Sequence, residues 1–561
     1  MSQLDPLKST IGGFAVHQAC TRPDDVFCIF LALGGAVKEI TYDELLSGAL
    51  RYARTYDELQ VPSGGVIIII LKHSLDLYFA FLGAILSQRI PSILAFPSIK
   101  QDPALYWRDH QQLFCRIGAS VLVTYAENLP IISRKVGTLD LAVVTPEQVL
   151  SAEPRQPDQG CIDQIAFLQH SSGTTGLKKG VALSHGAVLR QVAAYNEVIR
   201  LGDGDRIVSW LPLYHDMGLI ACFISPLVLG VPIVVMDPFE WSVDPLMLLD
   251  AMERYRGTHA WLPNFAFMHL ARAASATDRR YRLEHVRAFI NCSEPCKPES
   301  FDEFLRAFGE AGITADKLQV CYAMAETVFG VSQTALSEPA RSVVADRGSL
   351  ADGRFVPCPP SKSGRRLLSA GAPIPGVEVR VVSDDGRVLG EDEVGEVAVR
   401  GPFLFSGYFR QPEETAKKLR DGWYYTGDLG FSHSSECYVL GRKDDVLILN
   451  GRNYYAHDIE FFAAQVAGVK AGRVAAIDLF NRAQGSQEIV VLAETLLSDP
   501  SCCDPIIGAV RRHLMSALGT SVRVVLVPSG WIVKTTSGKM SRKENARKYL
   551  ESTLPGMYEV L

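Results

Sequence analysis

Residues 171–180, with the sequence SSGTTGLKKG, contain the residue types and the spacing that point most directly to chemistry. Glycines let the backbone turn tightly and aim several N–H groups at one anion. The hydroxyl groups of two serines and two threonines, and the ammonium groups of two lysines, add further donors. This segment therefore predicts a binding site for a polyphosphate.

Two other interpretations of this segment have to be weighed. It is not a Walker A loop, because the GxxxxGK[ST] spacing is absent and the flanking apolar runs, residues 165–168 and 181–184, predict a strand on each side. A flexible surface turn rich in glycine, serine and threonine has the same composition. Composition alone leaves the phosphate site and the surface turn equally supported.

A second candidate is Lys539, which lies in a Ser/Gly segment near the C-terminus. A compact ammonium group is suited to neutralising the charge that develops between a carboxylate and a phosphate. The neighbouring sequence is basic, and on its own it favours an ordinary surface lysine. The basic neighbours are Lys534, Arg542, Lys543, Arg547 and Lys548.

The elements that must hold these segments are predicted from apolar runs. Residues 66–71, VIIIIL, are typical of a strand buried on both faces, and apolar residues at helical spacing follow them before a second run at 92–96. Strand–helix–strand units build parallel sheets that carry helices on their faces. Further runs of strand length are residues 120–125, 207–211, 233–236 and 286–291. An α/β architecture is therefore predicted for a large N-terminal domain, residues 1–442.

The character of the sequence changes at about residue 369. Short strands separated by Gly/Asp turns are predicted at residues 377–382, 396–400, 438–440 and 446–449. The first three predict an antiparallel β subdomain over about 369–442. The remaining residues, 443–561, mix helix and strand patterns and suffice for a small α+β domain.

Composition excludes some classes of protein. The 561 residues carry a formal charge of -6, whereas a dedicated nucleic-acid binder carries a basic surplus. The twelve cysteines contain no CxxC pair, which argues against a zinc site. Reduced thiols, and an N-terminal sequence without signal-peptide character, predict a cytoplasmic protein.

One uncharged stretch, residues 217–236, is long enough to cross a bilayer. Pro226, Gly230 and Pro232 interrupt it. A buried helix, a turn and a buried strand are therefore the better prediction, and we expect no membrane span.

Five segments, in the same order along the chain, resemble the motifs of the adenylate-forming superfamily, which includes acyl-CoA synthetases, fatty acyl-AMP ligases, firefly luciferase and peptide-synthetase adenylation domains. Residues 171–180 resemble its TSGTTGxPKG loop, with Lys178 in place of proline. Residues 322–327 (YAMAET) resemble YGxTE, with Ala323 in place of glycine. The other three segments are YYTGD at 424–428, GRKDD at 441–445 and TSGK at 536–539.

The resemblance implies that a carboxylate attacks the α-phosphate of ATP, which expels pyrophosphate and forms an acyl-adenylate. It also implies two parallel-type α/β sheets in the N-terminal domain. Thr174, Thr175 and Lys179 would hold the β- and γ-phosphates, and Glu326 would bind Mg²⁺. The implied ATP site as a whole comprises Ser172, Thr174, Thr175, Lys179, Ser293, Glu294, Pro295, Tyr322, Asp428 and Arg442.

Within that site, Tyr322 would lie against the adenine, and Asp428 with Arg442 would bind the ribose hydroxyls. Thr327 would lie near the α-phosphate, and His215 would line and gate the acyl pocket.

Lys539 would act at the reacting centre from a mobile C-terminal domain. Because a lysine on one domain has to reach a site built by another, domain closure is implied, with Asp444 at the hinge position.

Several segments resemble the fatty acyl-AMP ligase branch in particular. They are SWLPLYHDMGLI at 209–220, PNFAF at 263–267, CSEP at 292–295 and GRNYYAHDIE at 451–460. Residues 338–368 are predicted as a long loop that corresponds to the branch insertion, which restrains the hinge; a tolerated surface insertion is the alternative. The branch implies a fatty acid as substrate and the phosphopantetheine thiol of an acyl carrier protein as acceptor.

Other functions remain open at this stage. An acyl-CoA synthetase would pass the acyl group to CoA, and a half-reaction enzyme would accept a preformed acyl-adenylate. A non-catalytic nucleotide-binding protein would retain only the fold. The FDxS motif that pairs with a substrate ammonium is absent, so an α-amino acid substrate is disfavoured.

Overall fold

A computed structural model describes residues 9–32, 35–97, 103–136, 139, 141–149, 153–171, 179–360, 364–449, 452–481, 486–495, 503–535, 539–551 and 558–559. Strands and helices are numbered below in chain order. Residues 172–178, which include Ser172, Thr174 and Thr175, lie outside this description, and so do residues 536–538.

A seven-stranded mixed sheet forms one layer of the N-terminal region. Its strands in spatial order are β20 (Gly407–Tyr408), β8 (Lys179–Ser184), β7 (Ile165–Ser171), β4 (Ile90–Ile93), β3 (Val66–Ile70), β5 (Ala119–Thr124) and β6 (Ala142–Val144). All five residues of β3 are buried, and β3 runs parallel to both neighbours, as its continuous apolar run predicts. The strands predicted at 165–168 and 181–184 are present as the antiparallel pair β7–β8.

A nine-stranded mixed sheet forms the second layer. Its spatial order is β17 (Ala372–Pro373), β14 (Gly330–Gln333), β13 (Leu318–Ala323), β12 (Ala288–Asn291), β11 (His259–Leu262), β9 (Ile207–Ser209), β10 (Ile233–Met236), β1 (Val26–Leu31) and β2 (Val37–Thr41). The six strands from β13 to β1 are mutually parallel. The α/β fold with two parallel-type sheets is therefore confirmed.

Helices cover these sheets. They are α1 (Ile11–Thr21), α2 (Tyr42–Glu58), α3 (Leu75–Leu86), α4 (Pro103–Ile117), α5 (Leu129–Val136), α6 (Pro146–Val149), α7 (His185–Ile199), α8 (Ser225–Leu229), α9 (Pro238–Val243), α10 (Met247–Arg254), α11 (Asn264–Ser275) and α12 (Pro298–Phe308). A fully buried π-helix, Met217–Ile224, continues into α8.

The uncharged stretch at 217–236 folds as predicted. The π-helix and α8 end at Gly230, whose φ of 71° is left-handed, and the buried strand β10 follows. No helix in the described ranges is long and apolar enough to cross a membrane.

An antiparallel sheet follows the two mixed sheets. Its strands are β18 (Glu378–Val382), β19 (Gly395–Arg400), β21 (Leu419–Arg420), β22 (Trp423–His433) and β23 (Glu436–Arg442). Helix α14 (Pro412–Lys418) precedes β21. The strands predicted at 377–382, 396–400 and 438–440 are all present.

The prediction of a loop at residues 338–368 is wrong in its local structure. The described part contains an antiparallel pair, β15 (Ser342–Asp346) and β16 (Gly364–Leu368), and a short helix, α13 (Arg347–Ala351). Ala345, Leu350, Phe355 and Leu367 are buried in a cluster with side chains of β22 and β23. Few apolar residues suffice here because a neighbouring sheet supplies the rest of the core.

The C-terminal region forms a two-stranded sheet, β24–β25, and a four-stranded sheet in the order β26–β27–β28–β29, of which the second is the larger. Its elements are β24 (Val446–Leu449), β25 (Arg452–Tyr455), α15 (Ala456–Ala463), β26 (Val469–Asn481), β27 (Ser486–Thr495), α16 (Cys503–Leu518), β28 (Arg523–Val527), α17 (Arg542–Glu551) and β29 (Tyr558–Glu559). Ala476 and Val491 belong to one buried cluster, whereas their neighbours Ile477 and Val490 belong to another. The larger sheet is therefore buried on both faces, since successive side chains of a strand alternate.

Candidate active site

Three of the predicted site residues follow the carboxyl ends of parallel strands. His215 follows β9, Ser293 follows β12 and Glu326 follows β13, while Phe265 of the PNFAF segment follows β11. Parallel strands end at one edge of a sheet, which is where open α/β folds bind ligands. Sheet topology thus brings together four segments that are separated in sequence.

Tyr322, Asp428 and Arg442 form a connected trio. The Tyr322 hydroxyl donates to Asp428 Oδ2 at 2.6 Å, and Arg442 Nη1 donates to Asp428 Oδ1 at 3.2 Å. Antiparallel pairing of β22 with β23 sets Asp428 directly opposite Arg442. Burial and the Asp428 carboxylate raise the pKa of Tyr322 well above its usual range, so its hydroxyl stays a donor.

Lys179 and Glu326 meet around one aromatic ring. The ammonium of Lys179 lies 4.7 Å from the ring centroid of Tyr408, and the Tyr408 hydroxyl donates to Glu326 Oε1 at 2.9 Å. Lys179 Nζ also contacts Glu414 Oε2 at 2.8 Å. Lys179, Tyr408 and Glu326, named the phosphate corner after their predicted role, thus place a cation over a ring whose hydroxyl contacts a carboxylate.

The phosphate corner fits a magnesium–phosphate complex. Mg²⁺ is commonly held by one or two carboxylates together with substrate phosphates. Glu326 supplies such a carboxylate, and Lys179 supplies a cation suited to a phosphate oxygen. Among the described residues no group of three or more His, Cys, Asp or Glu side chains forms a metal cage.

The turn that carries Glu326 is held in an uncommon conformation. Val328, just after this turn, has a φ of 66°, which a β-branched residue rarely adopts. Thr327 is fully buried, and its hydroxyl lies 2.8 Å from the Phe329 carbonyl and 3.1 Å from that of Met324. The hydroxyl thus braces the turn, and the role of Thr327 near an α-phosphate stays a prediction.

The segment 292–295, which belongs to the implied ATP site, leaves β12 through a second residue with left-handed backbone. Ser293 has a φ of 74°, and its Oγ lies 3.8 Å from Met217 Sδ. Glu294 Oε1 accepts from the Phe265 backbone N–H at 2.6 Å, and Pro295 follows it. These bonds tie the ends of β11 and β12 together.

His215 stands at the start of the buried π-helix. Its ring lies 4.8 Å from that of Tyr214, and its backbone N–H donates to Pro212 at 3.2 Å. The next residue, Asp216, caps the π-helix by accepting from Met217 N at 2.9 Å. His215 is therefore held beside the buried apolar segment, and its predicted gating role stays a prediction.

Lys539 is exposed in the C-terminal region of the chain. Burial raises the pKa of Asp216, and the positive charge of Lys539 opposes that rise. The backbone N–H of Lys539 donates to Thr535 Oγ1 at 3.1 Å, while the N–H of Thr535 donates to the Lys539 carbonyl at 2.8 Å. The charge of Lys539 thus acts on Asp216, and the catalytic role of Lys539 stays a prediction.

The sequence reasoning missed Asn545, which holds the Lys539 loop. This fully buried side chain accepts from Val533 N at 2.8 Å and donates to the carbonyls of Val533 and Ser541, each at 2.8 Å. It therefore ties the start of the loop to its end. Nothing in the sequence indicated this role, because Asn545 lies six residues after Lys539 in a predominantly polar helix.

A buried ion cluster links α15 to two earlier parts of the chain, and the sequence reasoning missed it as well. Asp458 of α15 contacts Lys297 Nζ, and its Oδ2 lies 2.7 Å from Arg365 Nη2. Burial alone would raise the pKa of Asp458, but Arg365 and Lys297 hold it below its usual range. Since Arg365 belongs to β16, the 338–368 segment takes part in this contact. The only signal was that Asp458 lies in the segment 451–460.

Asp444 occupies the short turn Lys443–Asp445 between β23 and β24 and is exposed. The flanking residues are both paired. Lys443 contacts Asp384 at 2.5 Å, and Asp445 Oδ2 contacts Arg542 at 2.7 Å. The hinge role of Asp444 and the domain boundary beside it stay predictions.

Known proteins were compared with this chain. Residues 16–409, more than half of the chain, match the family described as AMP-binding enzyme. A putative acyl-CoA synthetase of Caulobacter vibrioides is 30% identical over 93% of this chain and 92% of its own. The medium-chain-fatty-acid–[acyl-carrier-protein] ligase JamA of Moorena producens is 32% identical over 72% of this chain and 71% of its own.

A solved structure is similar over almost the whole chain. It comes from a study of fatty acyl-adenylate ligases from E. coli and L. pneumophila, and it superposes with a TM-score of 0.88 at 25% identity. The similarity covers 96% of this chain and 98% of the other. The resemblance seen in the motifs therefore extends to both regions of the fold.

Proposed function

This chain belongs to the AMP-binding enzyme family, and from that premise we propose that it activates a fatty acid with ATP and Mg²⁺. The product is an acyl-AMP, and pyrophosphate leaves. The acyl group then passes to the phosphopantetheine thiol of an acyl carrier protein. The similarity to JamA, which is named as an acyl-carrier-protein ligase, supports this acceptor.

The observation that carries the proposal is a pair of side-chain groups that meet at the end of β13, where Tyr322 belongs to one group and Glu326 to the other. The Tyr322–Asp428–Arg442 trio offers an aromatic ring, a carboxylate and a guanidinium for adenine and ribose. The phosphate corner offers Lys179 for phosphate oxygens and Glu326 for Mg²⁺. A nucleoside triphosphate carries its base, its ribose and its phosphates in that order, and the trio and the phosphate corner together offer partners for all three.

The chemistry requires charge stabilisation more than covalent help. As the carboxylate approaches the α-phosphate, negative charge concentrates between them, and a fixed cation lowers the barrier. Lys539 supplies that cation from the C-terminal domain. Bound Mg²⁺ would neutralise charge on the phosphate oxygens, and Glu326 would hold it.

The test is an assay of both half-reactions on the full chain. With ATP, Mg²⁺ and a panel of fatty acids, we expect acyl-AMP and pyrophosphate, detected by mass spectrometry and pyrophosphate exchange. Lys539→Ala should lose at least about a hundredfold in rate, as removal of one stabilising group typically costs. Lys543→Ala, an exposed lysine of the same basic region, is the matched control and should retain wild-type activity.

A second acceptor has a specific observation in its favour. The Caulobacter relative is named as a putative acyl-CoA synthetase. Holo-acyl carrier protein and CoA should therefore be supplied in parallel. Acyl-CoA formation as fast as acyl-AMP formation would overturn the carrier protein as acceptor. An absence of pyrophosphate exchange with every acid, combined with thioester formation from synthetic acyl-AMP, would indicate the half-reaction enzyme.

A further inference from the structure

Lys179 is held by a carboxylate of this chain at the place where the proposed function needs a phosphate. Its Nζ lies 2.8 Å from Glu414 Oε2, and the two side chains are 18% and 35% exposed. Carboxylate and phosphate oxygens bind an ammonium in the same way. The Glu414 carboxylate therefore occupies the position at Lys179 where a bound phosphate would lie.

Backbone pairing builds this contact into the fold. Lys179 is the first residue of β8, and β20 pairs with β8 through Gly407 and Tyr408. Helix α14 follows β20, and the Tyr408 N–H donates to Thr415 Oγ1 at 2.8 Å. Glu414 is therefore carried to Lys179 by two linked elements, and not by a chance surface encounter.

The charge of Glu414 persists at every pH at which the enzyme would work. Hydrogen bonds from Lys179 and Lys417 lower the pKa of Glu414 to about 2. Lys417 Nζ contacts Glu414 Oε1 at 2.5 Å from one turn further along α14 and is 67% exposed. When Lys179 binds a phosphate instead, Glu414 keeps its contact with Lys417. Neither charge is then left without a partner.

We propose that Glu414 competes with the β- and γ-phosphates for Lys179, and that it thereby limits ATP affinity and promotes the release of pyrophosphate. This inference rests on the proposed function. An internal contact that holds a binding group for most of the time raises the apparent Kd by the inverse of the free fraction. Because the ion pair is partly exposed and its strength is modest, we expect a factor of about two to five. The same competition helps to release pyrophosphate, because Glu414 replaces it as the partner of Lys179.

The experiment is calorimetric titration of inorganic pyrophosphate, with Mg²⁺, into the full chain. Glu414→Gln should bind pyrophosphate about two- to fivefold more tightly and should show a lower KM for ATP by the same factor, with kcat unchanged or lower. Glu413→Gln removes the same charge from the adjacent position of α14. This control should bind like wild type, which excludes a general effect of helix charge.

A second pair of variants separates competition from a structural role. In a Lys179→Met background, Glu414→Gln should not change pyrophosphate affinity, since the contested cation is gone. Unchanged or weaker binding by Glu414→Gln alone, or the same gain without Lys179, would overturn the inference while the proposed function stands. Failure of the folded wild-type chain to bind both ATP and pyrophosphate would overturn both.

Discussion

Two buried aspartates, Asp428 and Asp458, are each paired with an arginine, yet their surroundings differ. Asp428 lies at the candidate nucleotide site, and its partner Arg442 is 43% exposed. Asp458 lies between α15 and β16, and its partner Arg365 is only 12% exposed. An ion pair that must accept a ligand keeps one member accessible, whereas a pair that only joins two elements is enclosed by both. We therefore expect Asp428 to affect binding and Asp458 to affect stability.

The largest effect should come from Asp458→Asn. This change leaves the charges of Lys297 and Arg365 without a buried counter-charge, which typically costs about 3–5 kcal/mol. Urea unfolding of the full chain, followed by tryptophan fluorescence, measures the loss. Asp384→Asn breaks an exposed pair with Lys443 and should cost less than about 1 kcal/mol. Equal losses of unfolding free energy in Asp458→Asn and Asp384→Asn would contradict the difference expected between an enclosed and an exposed ion pair.

Asp428→Asn should weaken ATP binding while leaving the unfolding midpoint close to wild type. Loss of a charged hydrogen-bond acceptor for ribose hydroxyls corresponds to about a ten- to hundredfold rise in Kd. Equilibrium titration with ATP gives the affinity, and the same urea experiment gives the stability. If Asp428→Asn unfolded at a lower urea concentration than wild type but bound ATP normally, the roles assigned to the two aspartates would be wrong.

A smaller effect is expected from Tyr408→Phe in the phosphate corner. The ring that faces Lys179 is retained, but the hydrogen bond to Glu326 is lost, so the carboxylate is less well oriented. The Mg²⁺ concentration for half-maximal adenylation should rise about fivefold. Tyr425→Phe removes a hydroxyl that contacts Arg380 and should leave the Mg²⁺ requirement unchanged.

The smallest effect concerns pH. Because the folded-state pKa of Asp458 is held below its usual range, its pairing contributes stability above the unfolded pKa of about 3.9. That contribution is lost only as pH falls through the lower folded value. The difference in unfolding midpoint between wild type and Asp458→Asn should therefore be the same at pH 8 and pH 5. A difference that already shrinks at pH 5 would contradict the assigned direction.

Much of the fold could be predicted because it follows from sequence patterns that span only a few residues. The apolar run of β3 and the breakers around α8 act over a few residues, and both predictions are confirmed. The 338–368 segment was predicted poorly because its apolar residues are completed by side chains of β22 and β23. Such a core is invisible until the chain has folded.

The candidate site was predicted as a set of residues and not as a set of contacts. Family motifs pointed to Tyr322 and Asp428, but their hydrogen bond joins positions 106 residues apart. Glu414 and Asn545 carried no motif, because their roles arise from what lies next to them. Only the three-dimensional arrangement identifies a residue that works through a distant partner.

The left-handed backbone at Val328 has a consequence for anyone who engineers this protein. Glycine would relieve the strain of that φ, but Val328 is fully buried, so Val328→Gly would also remove a core side chain and destabilise the fold. The same change would loosen the turn that carries Glu326. A design that scores backbone strain alone would therefore choose a substitution that lowers both stability and turnover.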